Sequence, residues 1–215
     1  MTIELQPDSD HLAQQLCRAA EEIGVRGWCD GTGGNFSVVL TRDPFRLLIS
    51  GSGTIKYRLF PDDLVLVDEQ GQAVENEIGQ PSDESLLHCT IACSTDAGSI
   101  LHTHSVSGTL LSEHFQQAGG FDVTGYEMIK GISGVESHEE RVFVPVVPNS
   151  QDMNQLSRVL ESVCNDRPAT KGVLVAGHGL YTWGRDVEEA QRHVEIFEFL
   201  FECVERRTRL QPFEG

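Results

Sequence analysis

The chain has 215 residues, 39% hydrophobic and 23% charged, an ordinary globular composition with room for a sizeable core. Its 33 Asp and Glu against 16 Lys and Arg give a formal net charge of −17, which argues against nucleic acid or an anionic membrane as the main partner. No apolar stretch reaches the ~18 residues of a membrane span, Met1 to Asp10 do not read as a signal peptide, and six cysteines without a CxxC pair suit a reducing cytoplasm.

A single domain over 1–215 is the simplest division of the chain. Ser9 can cap a first helix from Asp10 to Val25, in which Leu12, Leu16, Ala19, Ala20 and Ile23 keep the helical period. The glycine-rich loop Gly31-Thr32-Gly33-Gly34-Asn35 leads into a strand at Phe36–Leu40. Asp43-Pro44 turns the chain into a second strand, Arg46–Ser50, followed by the small-residue loop Gly51-Ser52-Gly53. Leu64–Val67 and Ala73–Glu75 read as a hairpin, and Pro81-Ser82-Asp83 opens a helix running to Ser94. A short buried strand carries Ile100-Leu101-His102-Thr103-His104, and a helix follows at Val106–Gln117. Arg141–Val147 is a strand and Asp152–Cys164 an amphipathic helix. Strands at Lys171–Ala176 and Leu180–Trp183 flank a tight turn, Gly177-His178-Gly179, and a long helix runs from Asp186 to about Arg209. Strands in hairpin-like succession mixed with helices give a three-layer α/β arrangement around a mainly antiparallel sheet.

Side chains at i and i+2 of a strand point to the same face, so His102 and His104 project together. His178, on its glycine-flanked turn at another strand end, can converge with them if the fold joins the strands. Three neutral imidazoles are a ligand set that zinc uses when it keeps a position open. The remaining histidines, among them His88, read as ordinary core or surface residues. Gly31–Ser37 brings backbone amides and the donors Thr32, Asn35 and Ser37 together, which suits an anion or a plain connector. Ser52-Gly53, with Lys56 and Arg58 nearby, is a second candidate phosphate contact in a very acidic chain. Glu84 reads first as a helix-start acid favoured by the helix dipole. Glu127, in Tyr126-Glu127-Met128-Ile129-Lys130-Gly131, is either a desolvated proton carrier or a surface acid paired with Lys130.

In order, GTGGN at 31–35, SG at 52–53, PSDE at 81–84, HTH at 102–104 and His178 between its glycines resemble the class II aldolase/adducin-head family over nearly the whole chain. The resemblance implies an α/β/α fold and a homotetramer with sites near subunit interfaces. It implies one Zn2+ per subunit on His102, His104 and His178. It also implies phosphate binding in the first two loops, which assigns Thr32, Gly33, Asn35, Ser52, Gly53 and Lys56 to a small phosphorylated sugar. Within the family, residues 127–132, 50–56 and 178–184 are most similar to dehydratases of methionine salvage that act on a methylthio-bearing ketose 1-phosphate. In that pattern Glu127 is the acid/base, whereas the aldolase pattern uses Glu84; some dehydratases carry Cys at the latter position, and this chain has both acids. Phe121, Met128 and Trp183 are candidates for the methylthio pocket. A sugar-phosphate aldolase or epimerase, or a non-catalytic assembly module, are the alternative readings.

Overall fold

The computed structural model describes residues 7–74 and 79–209. Strands β1 (Asn35–Arg42), β2 (Phe45–Ser50), β3 (Leu64–Val67), β4 (Ser99–Thr103), β5 (Gly120–Val123), β6 (Val142–Val147), β7 (Gly172–Val175) and β8 (Gly179–Gly184) form one sheet in the order β3-β2-β1-β4-β8-β7-β6-β5. Every neighbouring pair is antiparallel except β6 and β7. Helices α1 (Pro7–Val25), α2 (Ser85–Ser94), α3 (Val106–Phe115), α4 (Met153–Asp166) and α5 (Val187–Arg209) cover its faces.

Alternation along the strands produces the layers. Leu47, Ile49, Ile100, Val173, Val175 and Trp183 point to one face, where Leu87 and Ile91 of α2 and Leu156 and Leu160 of α4 bury them. Leu48 and Leu101 point to the other face, against Leu16, Ala20 and Ile23 of α1 and Val194 of α5. Further along that face, Val144, Val146 and Leu174 pack on Leu111 of α3 and Phe197 and Phe201 of α5. The three-layer α/β arrangement with a mainly antiparallel sheet is therefore borne out.

Local differences from the sequence reading have physical causes. Helix α1 already runs at Pro7, so Ser9 lies inside it and does not cap it. A proline suits a first helical turn because its fixed φ is already helical and its missing N–H is not needed there. The second strand of the expected hairpin, Ala73–Glu75, is reduced to a bridge between Val67 and Ala73, and Glu75 lies outside the described residues. Strand β5 was not expected. Its four residues are too few to show a period, yet Phe121 and Val123 turn inward while Asp122 stays exposed. Helix α2 begins at Ser85, which leaves Glu84 as the residue before the helix rather than in its first turn.

Candidate metal centre

Residues 102–104 lie at the end of β4, at the centre of the sheet. Asn35 of β1 stands opposite His102 on one side, and Tyr181 of β8 stands opposite it on the other. These three side chains form a row on the face covered by α2, with the Tyr181 ring stacked on His102 at 3.9 Å. Strand β4 stops at Thr103. His104 is held by its backbone N–H, which donates to the Trp28 carbonyl at 2.7 Å. Glycines let the loops close on this segment. Gly34 has φ +75°, and a Cβ there would lie 2.5 Å from the His102 carbonyl oxygen. A Cβ on Gly179 would overlap the Thr103 carbonyl outright, so only glycine lets the His178 turn come this near.

The result is a cluster. Nε2 of His102 lies 2.7 Å from Nε2 of His104 and 3.2 Å from Nε2 of His178. Glu84 joins it, with Oε1 3.1 Å from His178 Nε2 and Oε2 3.7 Å from His102 Nε2. Its carboxylate makes no capping hydrogen bond to α2 and turns to the histidines instead. One ligand atom from each of the four residues lies within 4.8 Å of the others.

This donor set fits a divalent cation. His102 donates from Nδ1 to the Leu180 carbonyl at 2.9 Å, so its Nε2 presents a lone pair to the cluster. A backbone carbonyl that fixes the tautomer in this way is the usual support of a metal-ligating imidazole. Complete burial, then the proximity of His104 and His178, pushes the His102 pKa well below its ordinary value. Burial, then His178, lowers that of His104 to about 4. Both rings are therefore neutral at pH 7, the form that binds metal.

Beside the cluster lies a buried cation. The Lys56 ammonium donates to the Thr54 carbonyl at 2.8 Å, to Thr54 Oγ1 at 3.1 Å and to the Thr32 carbonyl at 3.3 Å. Among the described residues no carboxylate is within ion-pair distance of it, and burial lowers its pKa. Its positive charge also reaches His104. Gly33 packs against that ring, where a Cβ would lie 3.0 Å from Nδ1. Thr32, Ser52 and Gly53 are exposed. Asn35 is buried, and its amide nitrogen donates to Glu84 Oε2 at 2.5 Å and to Ser82 Oγ at 3.2 Å.

Glu127 is placed differently. It opens a single 3₁₀ turn, Glu127–Gly131, with its side chain 67% exposed, paired with Lys130 and 3.3 Å from His138. It is not among the four residues of the cluster. The hydrogen bond from Lys130 holds its carboxyl below the usual range. Of the three residues expected to form an apolar pocket, Phe121 and Trp183 are core residues and Met128 is exposed.

Two participants escaped the sequence reading. Tyr181 is placed by strand register, which carries no local signal. His88 lies one helical turn beyond Glu84, a spacing that puts both on one side of α2 and marks it in retrospect.

Comparisons with known proteins agree with this fold. The model of the family described as Class II Aldolase and Adducin N-terminal domain matches residues 14–204. The chain is 42% identical over 200 residues to a protein of Stenotrophomonas maltophilia (strain K279a) named methylthioribulose-1-phosphate dehydratase, covering 93% of this chain and 92% of that one. It is 39% identical over 192 residues to a protein of the same name from Marinobacter nauticus, covering 89% and 91%. Among solved structures, YgbL of Escherichia coli superposes with a TM-score of 0.78 at 22% identity, covering 94% and 92% of the two chains. The l-fuculose-1-phosphate aldolase of Thermus thermophilus superposes with a TM-score of 0.73 at 23% identity, covering 94% and 97%; at such identities the likeness speaks for the fold. The resemblance read from the sequence motifs is borne out, and the chain belongs to the class II aldolase and adducin N-terminal domain family.

Proposed function

We propose that the chain dehydrates 5-methylthioribulose 1-phosphate to 5-methylthio-2,3-dioxopentyl phosphate and water, a step of methionine salvage in the cytoplasm. The observation that carries this reading is the convergence of three imidazoles and Glu84 in a chain 42% identical to a protein named for that activity. Zinc, one ion per subunit on His102, His104 and His178, would supply Lewis-acid polarisation of the substrate carbonyl. Lys56 would receive the phosphate, with Thr32, Gly33, Ser52 and Gly53 around it. Among the described residues its ammonium has only carbonyl and hydroxyl partners, so an anion would complete its neutralisation. Asn35 would stand between that loop and Glu84.

The chemistry needs a proton removed from C3, a hydroxyl lost from C4 as water and a proton returned to C4. Glu84, which lies at the cluster, would take the C3 proton. Glu127, exposed and outside the cluster, would assist the departing hydroxyl from a neighbouring subunit, in a homotetramer whose sites lie near subunit interfaces. No redox cofactor takes part.

Metal-loaded protein incubated with the substrate is expected to form the diketone, with loss of one water by mass. No product from protein carrying a full complement of metal would refute the assignment. The placement of Glu84 at the cluster favours a second reading, a sugar-phosphate aldolase or epimerase, because the aldolase pattern uses that acid. Two carbonyl fragments instead of a diketone would establish the aldolase, and an epimeric ketose phosphate of unchanged mass the epimerase.

A further inference from the structure

Behind the metal centre lies a buried chain of side chains that the chemistry above does not use. Ser37, His88 and Asn35 are all 3% exposed or less. Ser37 Oγ is 2.7 Å from His88 Nδ1, His88 Nε2 is hydrogen-bonded to Asn35 Oδ1, and Asn35 Nδ2 is 2.5 Å from Glu84 Oε2. The polarity of this chain is fixed by its end. A carboxylate only accepts hydrogen bonds, so Asn35 must turn its NH2 toward Glu84 and Ser82. Its Oδ1 then faces His88, which must carry its proton on Nε2. Nδ1 is left with a lone pair and accepts from the Ser37 hydroxyl.

We propose that His88 is a positioning residue for Glu84: acting through Asn35, it anchors Oε2 on the Asn35 amide and leaves Oε1 facing His178. The proposal rests on the reading of Glu84 as the carboxylate of the metal centre. Without the Nε2–H donor, the buried Asn35 Oδ1 is left without this partner, and the amide is drawn toward another donor. A shifted amide no longer holds Oε2, and Glu84 turns from its place. Burial also lowers the pKa of His88 to about 3, so the ring keeps one neutral tautomer throughout the working pH range. Its edge-on contact with Tyr181, ring centroids 5.7 Å apart, fixes its plane.

Two polar substitutions separate positioning from packing. His88→Gln places an amide nitrogen near the former Nε2 and can still donate to Asn35. His88→Asn places its amide near the former Nδ1 and falls short. Turnover of 5-methylthioribulose 1-phosphate should fall roughly 10- to 100-fold in kcat for His88→Asn, the usual range for groups that orient a metal site. KM should stay within about threefold, and His88→Gln should recover most of the loss. In a Glu84→Gln background, His88→Asn should cost nothing more, because the group it positions is gone. Equal kcat in both variants and wild type, or a full additional loss in the Glu84→Gln background, overturns the proposal.

If metal-loaded wild type does not turn over this substrate, the proposed reaction fails and the positioning role is decided spectroscopically. The visible absorption of the Co2+-loaded protein should differ from wild type in His88→Asn and match it in His88→Gln. Identical spectra in all three overturn the proposal.

Discussion

Glu198 of α5 lies under β4, 1% exposed, and accepts a hydrogen bond from Thr103 Oγ1 at 2.7 Å through Oε1. Its Oε2 is buried, with the Ser105 hydroxyl nearby. Burial raises its pKa from 4.5 to about 7, against the opposing pull of the Ser105 and Thr103 hydroxyls. A raised carboxyl pKa means that the native state holds this proton more tightly than the unfolded chain does. The group's contribution is therefore fully present below pH 4.5 and lost as pH rises toward 7. At about 1.4 kcal/mol per pKa unit, ionising it in place weakens the fold by about 3 kcal/mol at pH 8 relative to pH 4.

Glu198→Gln keeps the shape and the acceptor for Thr103 but does not titrate. The variant should match wild type near pH 4 and exceed it at pH 8 by up to about 3 kcal/mol, or roughly 6–12 °C in Tm for a chain of this size. Urea melts of both proteins at pH 4, 6 and 8, at one protein concentration and without metal, measure the gap. Comparing the two proteins at each pH removes the contributions they share. A gap that stays constant with pH would refute the reasoning, since it would mean that Glu198 is solvated or charge-paired in the native state.

Other expectations follow from the site. His102→Ala should lose most of the divalent metal, about one ion per chain in wild type for a single three-imidazole site, as read by elemental analysis after dialysis. Lys56→Met should raise KM for the phosphorylated substrate by roughly tenfold or more with metal content unchanged, since a buried charge-assisted contact contributes about 1.5–3 kcal/mol. Gly34→Ala should destabilise the fold by about 1–3 kcal/mol from its left-handed backbone alone, and the crowding of the His102 carbonyl should also weaken metal binding. Glu84→Gln and Glu127→Gln should each lower kcat by roughly 10²-fold or more. Mixing the two variants under subunit exchange should restore activity if Glu127 acts across an interface, and no recovery would exclude that route.

The sheet was legible wherever alternation and turn residues coincide. Strands β1, β2, β7 and β8 lie where apolar runs end on Gly, Asp-Pro or Gly-His-Gly. The strand order was not legible. It joins β4 to β1 and β8, far apart in sequence, and that choice rests on the burial of two faces at once. Edge strand β5 escaped because four residues alternate too briefly to stand out from a loop.

For the site, the histidines were legible and their support was not. His102 and His104 announce themselves by spacing, and His178 by the glycines that let its turn approach Thr103. Glu84 looked like a helix-start acid because its sequence context is that of one. Its position follows from α2 starting only at Ser85, with the Glu84 carboxylate making no capping hydrogen bond. Asn35 looked like a loop donor. Pairing with β4 places it opposite His102, and both ends of its amide are taken by His88 and Glu84. Motifs name the residues that meet the ligand because those must be of particular types. The residues that aim them are chosen by register and burial, and so become readable only in the folded chain.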